Sequence, residues 1–90
     1  MSARAVTLIT GASGGIGEEL ARICAANGHA LALVARSGDK LDALASDIAS
    51  SGRDRPFTLA LDLSKPDAPA KLEHALREAG LVPNILINNA

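Results

Sequence analysis

Thr10-Gly11-Ala12-Ser13-Gly14-Gly15-Ile16-Gly17 is the stretch that decides the fold. It follows an apolar run, residues 6–9, and opens a helix-like segment from Ile16 onward. A buried strand that turns through glycines into a helix offers a seat for a pyrophosphate. Residues without Cβ let backbone N–H groups approach the phosphate oxygens. The start of the helix adds about half a positive charge at the same place.

Outward from this turn, three apolar runs read as buried strands, residues 5–10, 30–35 and 85–88. A fourth, residues 57–62, is bounded by Pro56 and Ser64. Continuous apolarity, rather than alternation, indicates a parallel sheet covered on both faces. Three helical patterns lie between the strands. The first places Ile16, Leu20, Ile23 and Cys24 on one face, the second Leu41, Leu44, Ala45 and Ile48, the third Leu72, Ala75, Leu76 and Ala79. Gly28, Gly52 and Gly80 stand where each helix would end. Ser37 reads as the cap of the second helix. Ser64-Lys65-Pro66-Asp67 reads as the start of the third, with Ser64 as N-cap and Asp67 closing a capping box. The expected architecture is α/β, βαβαβαβ, a Rossmann-type parallel sheet in the order 3-2-1-4.

Ninety residues allow one small domain, and a hydrophobic share of 48% is enough for a core. A net charge of -1 gives no reason to expect nucleic acid or an acidic membrane as partner. The apolar start is too short for a signal peptide or a membrane span. Cys24 stands alone, so no internal disulfide forms, which suits a reducing compartment. A soluble cytoplasmic protein is expected. No Cys/His cluster has metal-ligand spacing. Ile85-Leu86-Ile87 is apolar on both faces with nothing after it to cover it, which points to the first part of a longer fold.

The glycine spacing is ambiguous. Gly11, Gly15 and Gly17 match G-x-x-x-G-x-G, while Gly11, Gly14 and Gly17 match G-x-x-G-x-x-G. Asn88-Asn89-Ala90 at the end of the fourth strand helps to decide. Together with residues 10–17 and Asp62-Leu63, it closely resembles the compact branch of the short-chain dehydrogenase/reductase family, whose motifs are T-G-x-x-x-G-x-G and N-N-A-G. The extended branch, with its nucleotide-sugar epimerases, fits the second glycine spacing but usually lacks the paired asparagines. A reading from another class is a non-catalytic nucleotide-binding module.

The resemblance implies that Gly11, Ser13, Gly14, Gly15, Ile16 and Gly17 hold the adenosine ribose and pyrophosphate. It implies that Asp62 accepts from the adenine amino group with the Leu63 backbone beside it. Asn88 and Ala90 would lie along the ribose, and Asn89 would brace the sheet. It implies reversible hydride transfer between NADP(H) and a small carbonyl or alcohol substrate, and a homo-dimer or homo-tetramer at full length. The family's catalytic serine, tyrosine and lysine fall beyond the fourth strand. This chain has no tyrosine, so no residue is assigned a catalytic role and the 90 residues alone are expected to be inactive. They are expected to be a partial NAD(P)-binding domain, residues 1–90.

The end of the second strand points to NADP over NAD. An NAD binder places an acid there for the ribose 2′-hydroxyl. Here that place is held by Ala35, followed by Arg36 and Ser37. Arg36 offers a fork of donors to a 2′-phosphate, and Ser37 a hydroxyl and an N–H. One charged hydrogen bond of about 1.5–3 kcal/mol corresponds to roughly 10- to 100-fold preference. Some NADP users carry a further basic residue in the glycine loop, where Ser13 and Gly14 stand here. Asp39 lies past the strand end. The charges of residues 36–47 and 65–78 otherwise read as solvated helix faces, and His29 and His74 as non-catalytic.

Overall fold

A computed structural model describes residues 3–89. The elements run β1 (Arg4–Thr10), α1 (Gly15–Ala26), β2 (Leu31–Ala35), α2 (Gly38–Ser50), β3 (Phe57–Ala60), α3 (Ala68–Glu78) and β4 (Leu81–Asn88). The four strands form one parallel sheet in the order β3-β2-β1-β4, the Rossmann-type order expected from the sequence. β1 pairs with β2 from Thr7–Leu31 to Thr10–Val34 and with β4 from Arg4–Leu81 to Thr10–Asn88. β2 ends beside β3 at Ala35–Ala60. The carboxyl ends of all four strands therefore lie along one margin of the sheet, where the chain turns into α1, α2 and the segment after β3. In open α/β sheets that margin is where ligands bind.

Two apolar layers hold the sheet. On one face, Ile9, Leu33 and Ala35 pack against Ala21 and Ala25 of α1 and Leu41, Leu44 and Ile48 of α2. On the other, Val6, Leu8, Ala32 and Val34 pack against Leu76 of α3, with Phe57, Leu59 and Leu72 partly buried around them. Every residue of β2 is buried, so its unbroken apolarity follows from cover on both faces. Ile9, Leu33, Leu41 and Val34 are the largest fully buried side chains, each contributing about 1.5–3 kcal/mol of transfer free energy.

Several expectations need correction. α1 does not bury Ile16, Leu20, Ile23 and Cys24 as its face. It buries Gly17, Ala21 and Ala25, while Ile16 is 68% and Ile23 57% exposed; Leu20 and Cys24 are half-buried. The stripe is turned by about one residue because small side chains let the helix lie close to the sheet, and an isoleucine there would hold it away.

α3 starts at Ala68, not just after Ser64, with Asp67 at its N-cap and Pro69 in its first turn. The Ser64 hydroxyl donates to Asp62 Oδ1 at 2.6 Å, so Ser64 closes a turn instead of capping a helix. Asp67 makes no side-chain cap bond, and Ala79 is exposed rather than part of the buried stripe.

β4 begins at Leu81 and takes in Pro83. The ladder pairs Val6 with Pro83 but Thr7 with Ile85, leaving Asn84 as an extra residue. Proline is accommodated at such irregularities. β3 ends at Ala60, short of Asp62, although Leu61 N–H still donates to the Ala35 carbonyl at 2.8 Å.

Other details follow the pattern read from the residues. α2 buries Leu41, Leu44, Ala45 and Ile48, and Ser37 Oγ accepts from Lys40 N–H. Gly28, Gly52 and Gly80 follow the three helices at positive φ. Among the described residues, no helix is long and apolar enough to cross a membrane.

Candidate functional site

The turn after β1 is pinned at both ends. Ala12, fully buried, donates its N–H to the Val34 carbonyl at 3.3 Å and ties the turn to β2. Gly11 and Gly15 have φ of 65° and 51°, a left-handed backbone that side-chain-bearing residues rarely adopt. Gly14 stands extended at the N-cap of α1, and among the described residues no side chain caps that helix. The chain's own side chains thus leave the first N–H groups of α1 to an external acceptor. A Cβ at Gly14 or Gly15 would meet nothing within 4 Å, so the loop is open on that side. Gly17 is the opposite case. A Cβ there would overlap the Gly11 carbonyl and come within 2.8 Å of Asn89 Nδ2. Glycine here lets α1 start directly against the turn.

The β1 and β4 ends are locked together at the same place. Thr10 Oγ1 donates to Asn88 Oδ1 at 2.8 Å and accepts from the Asn89 N–H at 3.2 Å. Asn89 Nδ2 reaches the Gly11 carbonyl at 3.4 Å. The paired asparagines therefore connect the fourth strand to the glycine turn through Thr10. Ala90 lies outside the described residues.

Beside the turn, a cleft of 680 Å³ opens between the ends of β2 and β3. It brings together Gly11, Ser13, Arg36, Ser37, Asp62 and Leu63, with Ala35 and Lys40 also on its wall. Asp62 takes both the Ser64 hydroxyl and, at 3.0 Å, the Ser64 N–H. These hydrogen bonds, then the positive charges of Arg36 and Lys65, hold its carboxyl below the usual carboxylate range. At neutral pH it is an anion with acceptor capacity beyond its own turn. Arg36 is exposed, and the small Ala35 ahead of it brings no negative charge.

The donor set suits a dinucleotide. Open amides at a helix start suit a diphosphate, a carboxylate acceptor suits an exocyclic amine, and a guanidinium with a hydroxyl suits a further phosphate. Gly14, Gly15, Ile16 and Gly17 do not line the cleft itself but form the start of α1, and the Ile16 side chain points to solvent. Two residues of this region have no role assigned from the sequence. Thr10 carried its signal in its place between strand and glycine turn. Lys40 carried its own in a spacing of four from Arg36, across the start of α2.

Residues 5–90 match the family model for short chain dehydrogenases. The chain belongs to the short-chain dehydrogenase family. It is 39% identical over 90 residues to the NADPH-dependent pterin aldehyde reductase of Arabidopsis thaliana, covering 100% of this chain and 36% of that protein. Among solved short-chain dehydrogenases, it is similar to one from Sphingobium yanoikuyae in complex with NADPH. That match has 47% identity and a TM-score of 0.78, over 97% of this chain and 34% of the other. L-sorbose reductase from Gluconobacter frateurii, complexed with NADPH and L-sorbose, superposes with a TM-score of 0.88 at 31% identity, over 99% of this chain and 34% of that one. The chain thus spans about a quarter to a third of the length of the curated short-chain dehydrogenases it matches.

Proposed function

We propose that these residues form the NADP(H)-binding portion of an oxidoreductase that exchanges hydride between NADP(H) and a small carbonyl or alcohol substrate. The observation that carries this reading is the cleft at the strand ends. Arg36 and Ser37 stand on its wall where an NAD binder places an acid, and Ala35 offers none. The family match and the NADPH-bound relatives support it.

In this reading, the N–H groups at Gly14, Gly15, Ile16 and Gly17 receive the pyrophosphate, and Gly11 and Ser13 border the adenosine ribose. Asp62 accepts from the adenine amino group beside the Leu63 backbone. Asn88 and Ala90 lie along the ribose, and Asn89 holds the fourth strand to the turn. Arg36 and Ser37 take the 2′-phosphate. When bound, the nicotinamide supplies hydride exchange; the residues named here bind and orient. None of them transfers the substrate proton, and alone they are expected to turn over no substrate. We place the protein in the cytoplasm, where a lone half-buried cysteine stays reduced, and the full-length form in a homo-dimer or homo-tetramer.

Arg36→Ala tests the assignment. Calorimetric titration should show NADP weakened by about 10- to 100-fold and NAD by less than about twofold. Equal loss for both dinucleotides would remove Arg36 from this role.

A further inference from the structure

Most cations on this surface are already engaged. Arg4, Arg22, Arg55, Lys71 and Arg77 each pair with a carboxylate, and Arg53 donates to the Ala26 carbonyl. Among the described lysines and arginines, the side chains without an ion pair or hydrogen bond are those of Arg36, Lys40 and Lys65. Two of these, Arg36 and Lys40, line the same cleft.

Lys40 has no obvious reason of its own to be there. It lies in the first turn of α2, where a positive side chain opposes the helix dipole. Glu18 and Asp47 share a neighbouring groove with Lys40, but both are bound by Arg22. That double engagement raises the Arg22 pKa and leaves Lys40 no acid on that side. Arg36 already feels the Asp62 carboxylate on the same cleft, whereas Lys40 forms no ion pair; a further anion between the two cations would offset their mutual repulsion. A phosphate monoester carries close to two negative charges at neutral pH, so it satisfies both. A hydroxyl satisfies neither charge.

We propose that Lys40 is the second cation for the 2′-phosphate of NADP, acting from the first turn of α2 on the same cleft as Arg36. The assignment rests on the NADP reading above and deepens it. It gives this chain, whose glycine loop has Ser13 and Gly14 and no cation, a different source for the second charge. Arg36 contributes a planar fork and Lys40 a point charge, so Arg36 sets orientation and Lys40 adds mainly electrostatic affinity. NADP binding therefore weakens with salt more steeply than NAD binding.

The experiment is calorimetric titration of the wild-type protein, Lys40→Ala, Lys40→Arg and Lys65→Ala with NADP and NAD at two salt concentrations. Lys40→Ala should weaken NADP by about five- to tenfold and NAD by less than about twofold, with a shallower salt dependence for NADP. Lys40→Arg should restore most of the loss. Lys65→Ala, an unpaired cation outside the cleft wall, should change NADP affinity by less than about twofold. If the wild type favours NADP and Lys40→Ala leaves that preference intact, the Lys40 assignment fails while the NADP reading stands. The same holds if Lys65→Ala loses as much as Lys40→Ala. If the wild type shows no preference for NADP over NAD, both fail together.

Discussion

α1 and α2 lie on the same face of the sheet, yet they are held by different means. α2 buries three large aliphatic side chains, Leu41, Leu44 and Ile48, besides Ala45. α1 buries Gly17, Ala21 and Ala25 and keeps two isoleucines in solvent. α2 is anchored by volume removed from water. α1 is anchored by closeness, because its first turn must sit against the glycine loop and small residues permit that approach. Stability should therefore be concentrated in α2, and sensitivity to added volume in α1.

Substitutions can break that contrast. The largest effect is expected from Leu41→Ala, which opens a cavity at a fully buried site and should cost about 2–5 kcal/mol in chemical denaturation. A cost near zero would mean that α2 is not the volume anchor. Gly17→Ala should cost about 1–3 kcal/mol, because the added methyl meets the Gly11 carbonyl rather than a side chain that can move. If Gly17→Ala is neutral, α1 does not approach the turn as described.

Asp62 sharpens the comparison from the side of the cleft. Its folded pKa lies below the ordinary value, so its contribution to stability is fully present above the ordinary carboxylate pKa and is lost as pH falls through the lowered one. Denaturation midpoints of wild type and Asp62→Asn should differ at pH 7 and converge once the pH has fallen below the lowered carboxyl value. A gap that widens on acidification would contradict the Ser64 hydrogen bonds as its cause. The smallest effect is expected at Ile23. Ile23→Ser removes an exposed side chain and should change stability by no more than about 0.5 kcal/mol. A large loss would show that this side of α1 is packed.

The same contrast explains what was legible in the sequence. The sheet order and the α2 face were readable, because continuous apolar strands and a heptad-like aliphatic stripe report burial directly. Ser37 was readable as a cap because it stands one turn ahead of the stripe, directly before the helix. The α1 face was misread because hydrophobicity weights isoleucine above glycine and alanine, whereas close packing selects the small residues. The start of α3 was misread because Ser64 has two partners to choose from, and Asp62, two residues earlier, takes it. The extra residue Asn84 hid the first half of β4 behind a proline.

Within the candidate site, the glycines, Arg36, Ser37 and Asp62 announced themselves by position. The structure brings Gly11, Ser13 and those three polar residues to one cleft. Lys40 did not announce itself. A lysine among helix charges looks solvated until the acids around it are found to be occupied by Arg22. Thr10 was part of the legible motif, but its role as a tie between strands is seen only in its bonds to Asn88 and Asn89.

The central claim is that the open amides at the start of α1 and the adjoining cleft grip a phosphorylated dinucleotide. Calorimetric titration of the protein with NADP and NAD tests it most directly. Saturable binding of both is predicted, with NADP tighter by roughly 10- to 100-fold. Absence of binding heat for either dinucleotide at millimolar concentration would contradict the account.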